Sequence, residues 1–309
     1  MTAIVFVAVY AGVAVFLLAC VARAVSYARL PKHLRWELYP VPHEDPERVE
    51  HGGSYFEEPQ WWTKPVRFDW LMELRFMIAE MILLKGLWEH NRKLWFRSFP
   101  FHFGLYLLLL SVLCLIPAAL MSPPSAAPTG LAALLASVTA GSAALGALLA
   151  MVGAFGLLLR RLRDPGLRNY TAPGDIFNLL FFLVAFGVMT VGFATKPAGA
   201  PSVLDMARAV LTFDTSIQIP SLIGAGVILC ALLIAYIPMT HMAHFIGKYF
   251  TYHQIRWDDV PLIRAQQLAK EIARYLSYRP HWAAPHVMAN GRRSWAEIVM
   301  INPTQGGEK

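Results

Sequence analysis

Of the ten histidines in this chain, three fall in apolar runs long enough to cross a bilayer, and two of them make the most informative pair: His102, within FPFHFGLYLLLL, and His244, within IPMTHMAHFIGKYF. An ionisable side chain at membrane depth is hard to desolvate and marks a functional site by default. His102 opens its run and His244 nearly closes its own. When spans alternate in direction, one run leaves a membrane face and the other returns to it, so both imidazoles reach a similar depth. Two neutral imidazoles facing each other from neighbouring helices are the axial donors that a b-type haem needs, and the helices supply its apolar box. His241, three residues before His244 and about 60° round a helix from it, is a competing ligand or a donor to a haem propionate. Arg97 and Lys248 flank the pair and suit the propionates. Gly104, beside His102, leaves room for a porphyrin edge. His90, among Trp88, Glu89, Asn91, Arg92 and Lys93, belongs at the water boundary.

The elements that must hold these residues follow from composition. With 56% hydrophobic and only 15% charged residues over 309 positions, and a mean hydropathy of +0.46, the chain is an integral membrane protein. Five stretches can span about 30 Å of hydrocarbon: 3–27, 99–121, 130–159, 175–195 and 217–245. The fold class is therefore all-α, a bundle of five transmembrane helices with a large loop and a tail on one side. The chain divides into a first span (1–29), a loop with an interfacial helix (30–98), a four-helix haem-binding core (99–247) and a docking tail (248–309). The first span lacks a basic n-region and a clean cleavage site, and is expected to be retained rather than removed as a leader.

Lysine and arginine set the orientation. Residues 122–129 contain neither, and 196–216 contain only Lys196 and Arg208, whereas 30–98, 160–173 and the stretch after 246 carry nearly all the rest. The positive-inside rule places those regions in the cytoplasm and the N-terminus outside. The expected location is the cytoplasmic membrane of a bacterium or archaeon. The net charge of +7 then reflects topology and the anionic inner leaflet, and calls for no nucleic-acid partner.

Within the loop, Trp70, Leu74, Met77, Met81 and Leu84 recur at helical spacing, while Glu73, Arg75, Glu80, Lys85 and Glu89 exclude a span. Residues 68–90 are expected to lie as a helix along the inner surface. In the tail, 263–278 has the pattern of an amphipathic helix. The rest of loop and tail is rich in aromatics, with Trp61, Trp62, Trp257 and Trp295 as candidate anchors, yet too short to build a core alone. A soluble partner is the natural source of the missing core. Lys85 and His90 are the basic titratable groups of the 68–90 helix nearest the second span.

Cys20, Cys114 and Cys230 are isolated inside spans, without C-x-x-C or C-x-x-C-H, which excludes covalent haem c and iron–sulfur clusters within this chain. No Gly-rich phosphate loop has strand-and-helix context, and no Ser/His/Asp set shares a depth. Two readings stand: an electron-transfer cytochrome b subunit, itself non-catalytic or quinone-reactive, and a haem-free anchor tethering a soluble reductase.

The runs FPFHFGLYLLLL and IPMTHMAHFIGKYF resemble the second and fifth spans of the respiratory nitrate reductase gamma subunit, a membrane cytochrome b with five spans and an outside N-terminus. In that family a cytoplasmic-side haem b is held by a histidine in an F-H-x-G context and one in a P-x-T-x-x-x-H context, which implies His102 and His244 here. The family's second haem uses a histidine ten residues on in span two and another eighteen residues back in span five. Those positions are Val112 and Gly226, so the resemblance implies one haem b. The segments LRWELYPVPHE, GGSYFEEPQWWTKP, KYFTYHQIRWDD and SWAE resemble gamma-like subunits that partner heterodisulfide-reductase-type iron–sulfur proteins. They imply a cytoplasmic iron–sulfur partner and menaquinone as the exchangeable substrate.

Overall fold

The computed structural model describes residues 2–29, 70–123, 126–250, 266–281 and 287–301. No strand occurs among them, and five helices are long and apolar enough to cross a membrane. The expected all-α, five-span architecture is the one observed. The described residues fall into two compact units, Met1–Ala22 with Leu74–Ala243, and Arg23–Glu73 with His244–Lys309.

In the first unit, α1 (Thr2–Ala28) is uncharged until Arg23 and exposes large side chains such as Val7 and Leu18, as a lipid-facing helix must. Its Gly12 sits so close to the fifth span that a Cβ there would lie 2.7 Å from the carbonyl oxygen of Ala231. Thr2 Oγ1 donates to the Ile217 carbonyl at 2.9 Å, across 215 residues of sequence.

The helix expected over 68–90 is present but broken. It forms α2 (Trp70–Ile82) and α3 (Lys85–His90), separated by Leu84 in a left-handed conformation, φ 52°. A left-handed leucine is disfavoured, and its neighbours hold it. Two carbonyls released at the end of α2 are taken by side chains of the next helix: Trp95 Nε1 donates to Leu83 at 2.8 Å and the Tyr106 hydroxyl to Met81 at 2.7 Å.

That next helix, α4 (Arg92–Met121), starts seven positions earlier than hydropathy suggests. Asn91 supplies the reason: its side chain accepts from Leu94 N at 3.1 Å and caps the first turn. The Arg92 guanidinium lies 4.7 Å above the Trp88 ring, so the extra turn keeps its charge at the boundary. α5 (Gly130–Arg163) gathers Arg160, Arg161 and Arg163 in its last turn, where they complement the helix dipole. The short α6 (Pro165–Arg168) leads into α7 (Pro173–Ala194), close to the expected fourth span.

A helix unforeseen in the 196–216 loop follows, α8 (Val203–Thr212). Ser202 and Asp205 form its capping box, with Asp205 N donating to Ser202 Oγ at 3.0 Å and Ser202 N to the Asp205 carboxylate at 3.3 Å. Met206 and Ala209 bury against Val5, Phe6, Ile219 and Ile223, and Arg208 donates to the Ala119 carbonyl near the end of α4.

The fifth span departs most from expectation. Instead of one helix over 217–245, α9 (Ser221–Tyr236) gives way to two 3-10 turns, Ile237–Met239 and His241–Ala243, with Thr240 extended between them. Pro238 has no N–H to continue the α ladder. Thr240 Oγ1 accepts from Met242 N at 3.1 Å, offering the backbone a turn in its place.

Within the first unit α4 packs chiefly on α5, α5 on α7 and α7 on α9, while α8 lies on α4. Among the described residues there is no extensive packing of α4 on α9.

In the second unit, α10 (His244–Phe250) lies against the last turns of α1, with the Tyr27 and Phe250 rings 5.8 Å apart. The expected amphipathic tail helix is α11 (Gln266–Leu276). Beyond it α12 (Trp295–Val299) is capped by Ser294 and tied back through Trp295 N to the Tyr278 carbonyl at 2.9 Å.

Candidate functional site

His102 sits on α4, one position beyond Phe101. Phe101 is buried, packs edge-on at 5.0 Å against Phe182 of α7, and anchors an apolar cluster with Ala150, Ala154, Leu158, Leu179 and Leu233. The imidazole itself is half-buried. Its Nδ1 is 2.8 Å from the Ser98 carbonyl oxygen and 3.3 Å from Ser98 Oγ. A carbonyl oxygen only accepts, so in the neutral ring Nδ1 carries the proton and Nε2 keeps the lone pair. Metal-ligating histidines are oriented by such a bond on their other nitrogen.

Gly104 proves to have a different use from the one expected. A Cβ at this position would lie 2.4 Å from Ala150 N and 2.6 Å from the Gly146 carbonyl oxygen. The space beside it belongs to α5, not to a porphyrin edge. Gly153 repeats the arrangement, its missing Cβ falling 2.4 Å from Phe101 N. Small residues thus let α4 and α5 approach backbone to backbone, and this seam sets where His102 stands.

The end of the fifth span separates its two histidines. His241 lies in the second 3-10 turn, is exposed, and has Nε2 3.6 Å from Asp175 Oδ1. His244 opens α10 and is exposed. The 60° relation expected of a continuous helix is lost, since the chain is 3-10 up to Ala243 and α-helical only from His244. His102 and His241 belong to the first compact unit, and His244 and Lys248 to the second, one turn apart on α10.

Asp175 is the centre of a small polar cluster in the first unit. Its Oδ2 accepts from Arg161 Nη1 and from Ala172 N, each at 3.1 Å. One turn along α7, buried Asn178 accepts from the Tyr236 hydroxyl at 2.9 Å. Arg97, expected near a propionate, is exposed and donates from Nη1 to the Lys93 carbonyl at 2.8 Å, with its stem over Gly156 of α5. His90 contacts the Gly86 carbonyl through Nδ1 at 2.9 Å, and Lys85 pairs with Glu89 at 3.7 Å. Trp61, Trp62 and Trp257 lie outside the described residues, and Trp295 is exposed at the start of α12.

Val112 is exposed on α4, directed away from the packed seam. Gly226 is buried, and a Cβ there would lie 2.8 Å from Met189 Cα and 3.0 Å from Met189 N. Gly226 therefore has no room for a histidine side chain.

Four participants escaped the sequence reading: Ser98, Asp175, Asn178 and Tyr236. Ser98 was findable as the residue four before His102, Asp175 as the acid in a P-G-D helix start, and Asn178 as a lone amide in an apolar run. Nothing in the sequence singled out Tyr236.

Among the described residues no three His, Cys, Asp or Glu side chains converge as a metal-ion site. Paired imidazoles are the donor set that the chain offers, and His102, with its Nδ1 occupied by Ser98, fits an axial ligand. Comparison with curated proteins finds no match, and neither does comparison with solved structures. The family model described as nitrate reductase gamma subunit matches residues 87–260. That segment is more than half of the chain and holds α4, α5, α7 and α9 with His102, His241 and His244, so the chain belongs to the nitrate reductase gamma subunit family.

Proposed function

We propose that this chain is the membrane cytochrome b subunit of an oxidoreductase complex, passing electrons between a cytoplasmic iron–sulfur partner of heterodisulfide-reductase type and menaquinone through one haem b. The family is one of membrane cytochrome b-type subunits that bind haem b. The observation that carries the reading to particular residues is the 2.8 Å bond from His102 Nδ1 to the Ser98 carbonyl. It leaves Nε2 as the donor and fixes the ring plane on α4. His244 is the proposed second ligand, in the P-M-T-H-M-A-H run, with His241 engaged by Asp175.

When bound, haem b supplies reversible one-electron exchange between ligands that need not move. This chain's residues do the rest. Phe101 and the apolar cluster behind it exclude water from one side of the site. Arg97 and Lys248 supply positive charge at its polar edge for the propionates. Val112 and Gly226 stand where a second pair of ligands would be needed, which supports a single haem. The N-terminus is placed outside and the loop and tail in the cytoplasm, where the positive residues gather.

The test is the reduced-minus-oxidised spectrum of the purified protein with pyridine haemochrome quantitation. A b-type α band with about one haem per chain is expected. Absence of the band from fully loaded preparations would leave a haem-free anchor for a soluble reductase, and a value near two would show a second ligand pair.

A further inference from the structure

The break after α9 raises the question of what fixes the direction of the chain as it enters His244. From Ile237 to Ala243 the backbone bonds are short-range: Thr240 N to the Ile237 carbonyl and Ala243 N to the Thr240 carbonyl, each 3.2 Å. Turns of this kind have poorer hydrogen-bond geometry than an α-helix and are used in short pieces. The chain is secured instead by one face of α7. Before the break, the Tyr236 hydroxyl donates to Asn178 at 2.9 Å. After it, His241 lies 3.6 Å from Asp175, three residues from Asn178 and so on the same face of that helix. Asp175 is itself anchored twice, by Arg161 of α5 and by Ala172 N at its own helix start. Met242 packs on the Phe101 cluster, and Ala243 is buried.

We propose that Asp175 and Asn178 are positioning residues for the haem-ligating segment. They clamp the chain on either side of the Pro238 break, so that the turn ending at Ala243, next in the chain to His244, has one orientation. The inference rests on the haem reading above. It assigns α7, which carries no candidate ligand, the task of steadying through Tyr236 and His241 the chain that leads to the second candidate ligand.

Low-spin haem EPR reads this directly, because the g values of a bis-imidazole haem respond to the relative orientation of the two ring planes. Full-length wild-type protein should be compared with Asp175→Asn, Asp175→Glu and Tyr236→Phe, the last removing one hydroxyl at constant shape. Asp175→Asn and Tyr236→Phe should keep haem at the wild-type ratio while displacing the low-field g value and the midpoint potential. Asp175→Glu should return both toward wild type. Wild-type g values and potential in both Asp175→Asn and Tyr236→Phe would overturn the clamp and leave the haem reading intact. If Asp175→Asn does not accumulate, the folded Tyr236→Phe protein decides by the same two signals. A wild-type protein without a b-type signal would overturn the haem reading and the clamp together.

Discussion

His102 and Ser98, one turn apart on α4, are joined through Nδ1 and a backbone carbonyl at 2.8 Å, so the ring is held by a bond that no substitution at Ser98 removes. The ligand assignment makes a sharp prediction from this. His102→Ala and His244→Ala should each abolish the low-spin bis-imidazole signal, whereas Ser98→Ala, which deletes only the 3.3 Å hydroxyl contact, should preserve it. His241→Ala should perturb the signal without removing it. Loss of haem from the His241 variant with retention in the His244 variant would reverse the assignment.

The α4–α5 seam at Gly104 and the α7–α9 seam at Gly226 leave no space for a larger side chain. Gly104→Val and Gly226→Val each press a branched side chain into backbone, and each should destabilise by about 1–3 kcal/mol or more. Gly141 has nothing within 4 Å of a Cβ, so Gly141→Ala should be neutral or stabilising by up to about 1 kcal/mol. Thermal unfolding in detergent checks the ranking, and equal behaviour of the three variants would refute it.

The quinone site is proposed for the half of the membrane that holds His102, with Lys85 and His90 as its nearest titratable groups. Titration of the haem spectrum with a quinone analogue should give a shift that weakens in Lys85→Ala or His90→Ala. An unchanged shift in both, together with its loss in Lys196→Ala or Asp214→Asn at the opposite end, would move the site across the membrane.

Docking of an iron–sulfur partner is proposed for the aromatic loop and tail, where buried aromatics dominate interface energetics and rim charges add little. Removing residues 52–65 together with the tail beyond Trp257 should abolish copurification of the partner. Trp295→Ala alone should weaken it. Copurification that survives the double removal would refute this placement.

Much of the fold was legible because lipid imposes a coarse rule: long apolar runs become helices, and charges collect at their ends. That rule gave α1, α7 and the core of α5. It failed where local chemistry overrides hydropathy. Asn91 and the Arg92–Trp88 contact extend α4 through charged residues, and Pro238 with Thr240 ends α9 inside a run that remains apolar. The α8 helix was missed because its signal is a capping box and not hydrophobicity. At the site, His102 was legible as a histidine out of place, and Ser98 was hidden because its part is played by a backbone carbonyl. Gly104 was misread because a glycine that admits a cofactor and one that admits a neighbouring helix look identical until the neighbour is known.

The approach of Gly12 to Ala231 bears on how the protein is made. α1 leaves the ribosome before α8 and α9, yet Val5 and Phe6 pack on Met206 and Ala209 of α8, Gly12 meets Ala231 of α9, and Thr2 finds its acceptor at Ile217. During synthesis α1 must wait in lipid while three spans insert, its glycine notch unfilled. A chain stalled before residue 203 therefore holds α1 without these contacts, open to chaperones and membrane proteases, and arrival of α8 and α9 is the step that commits the bundle.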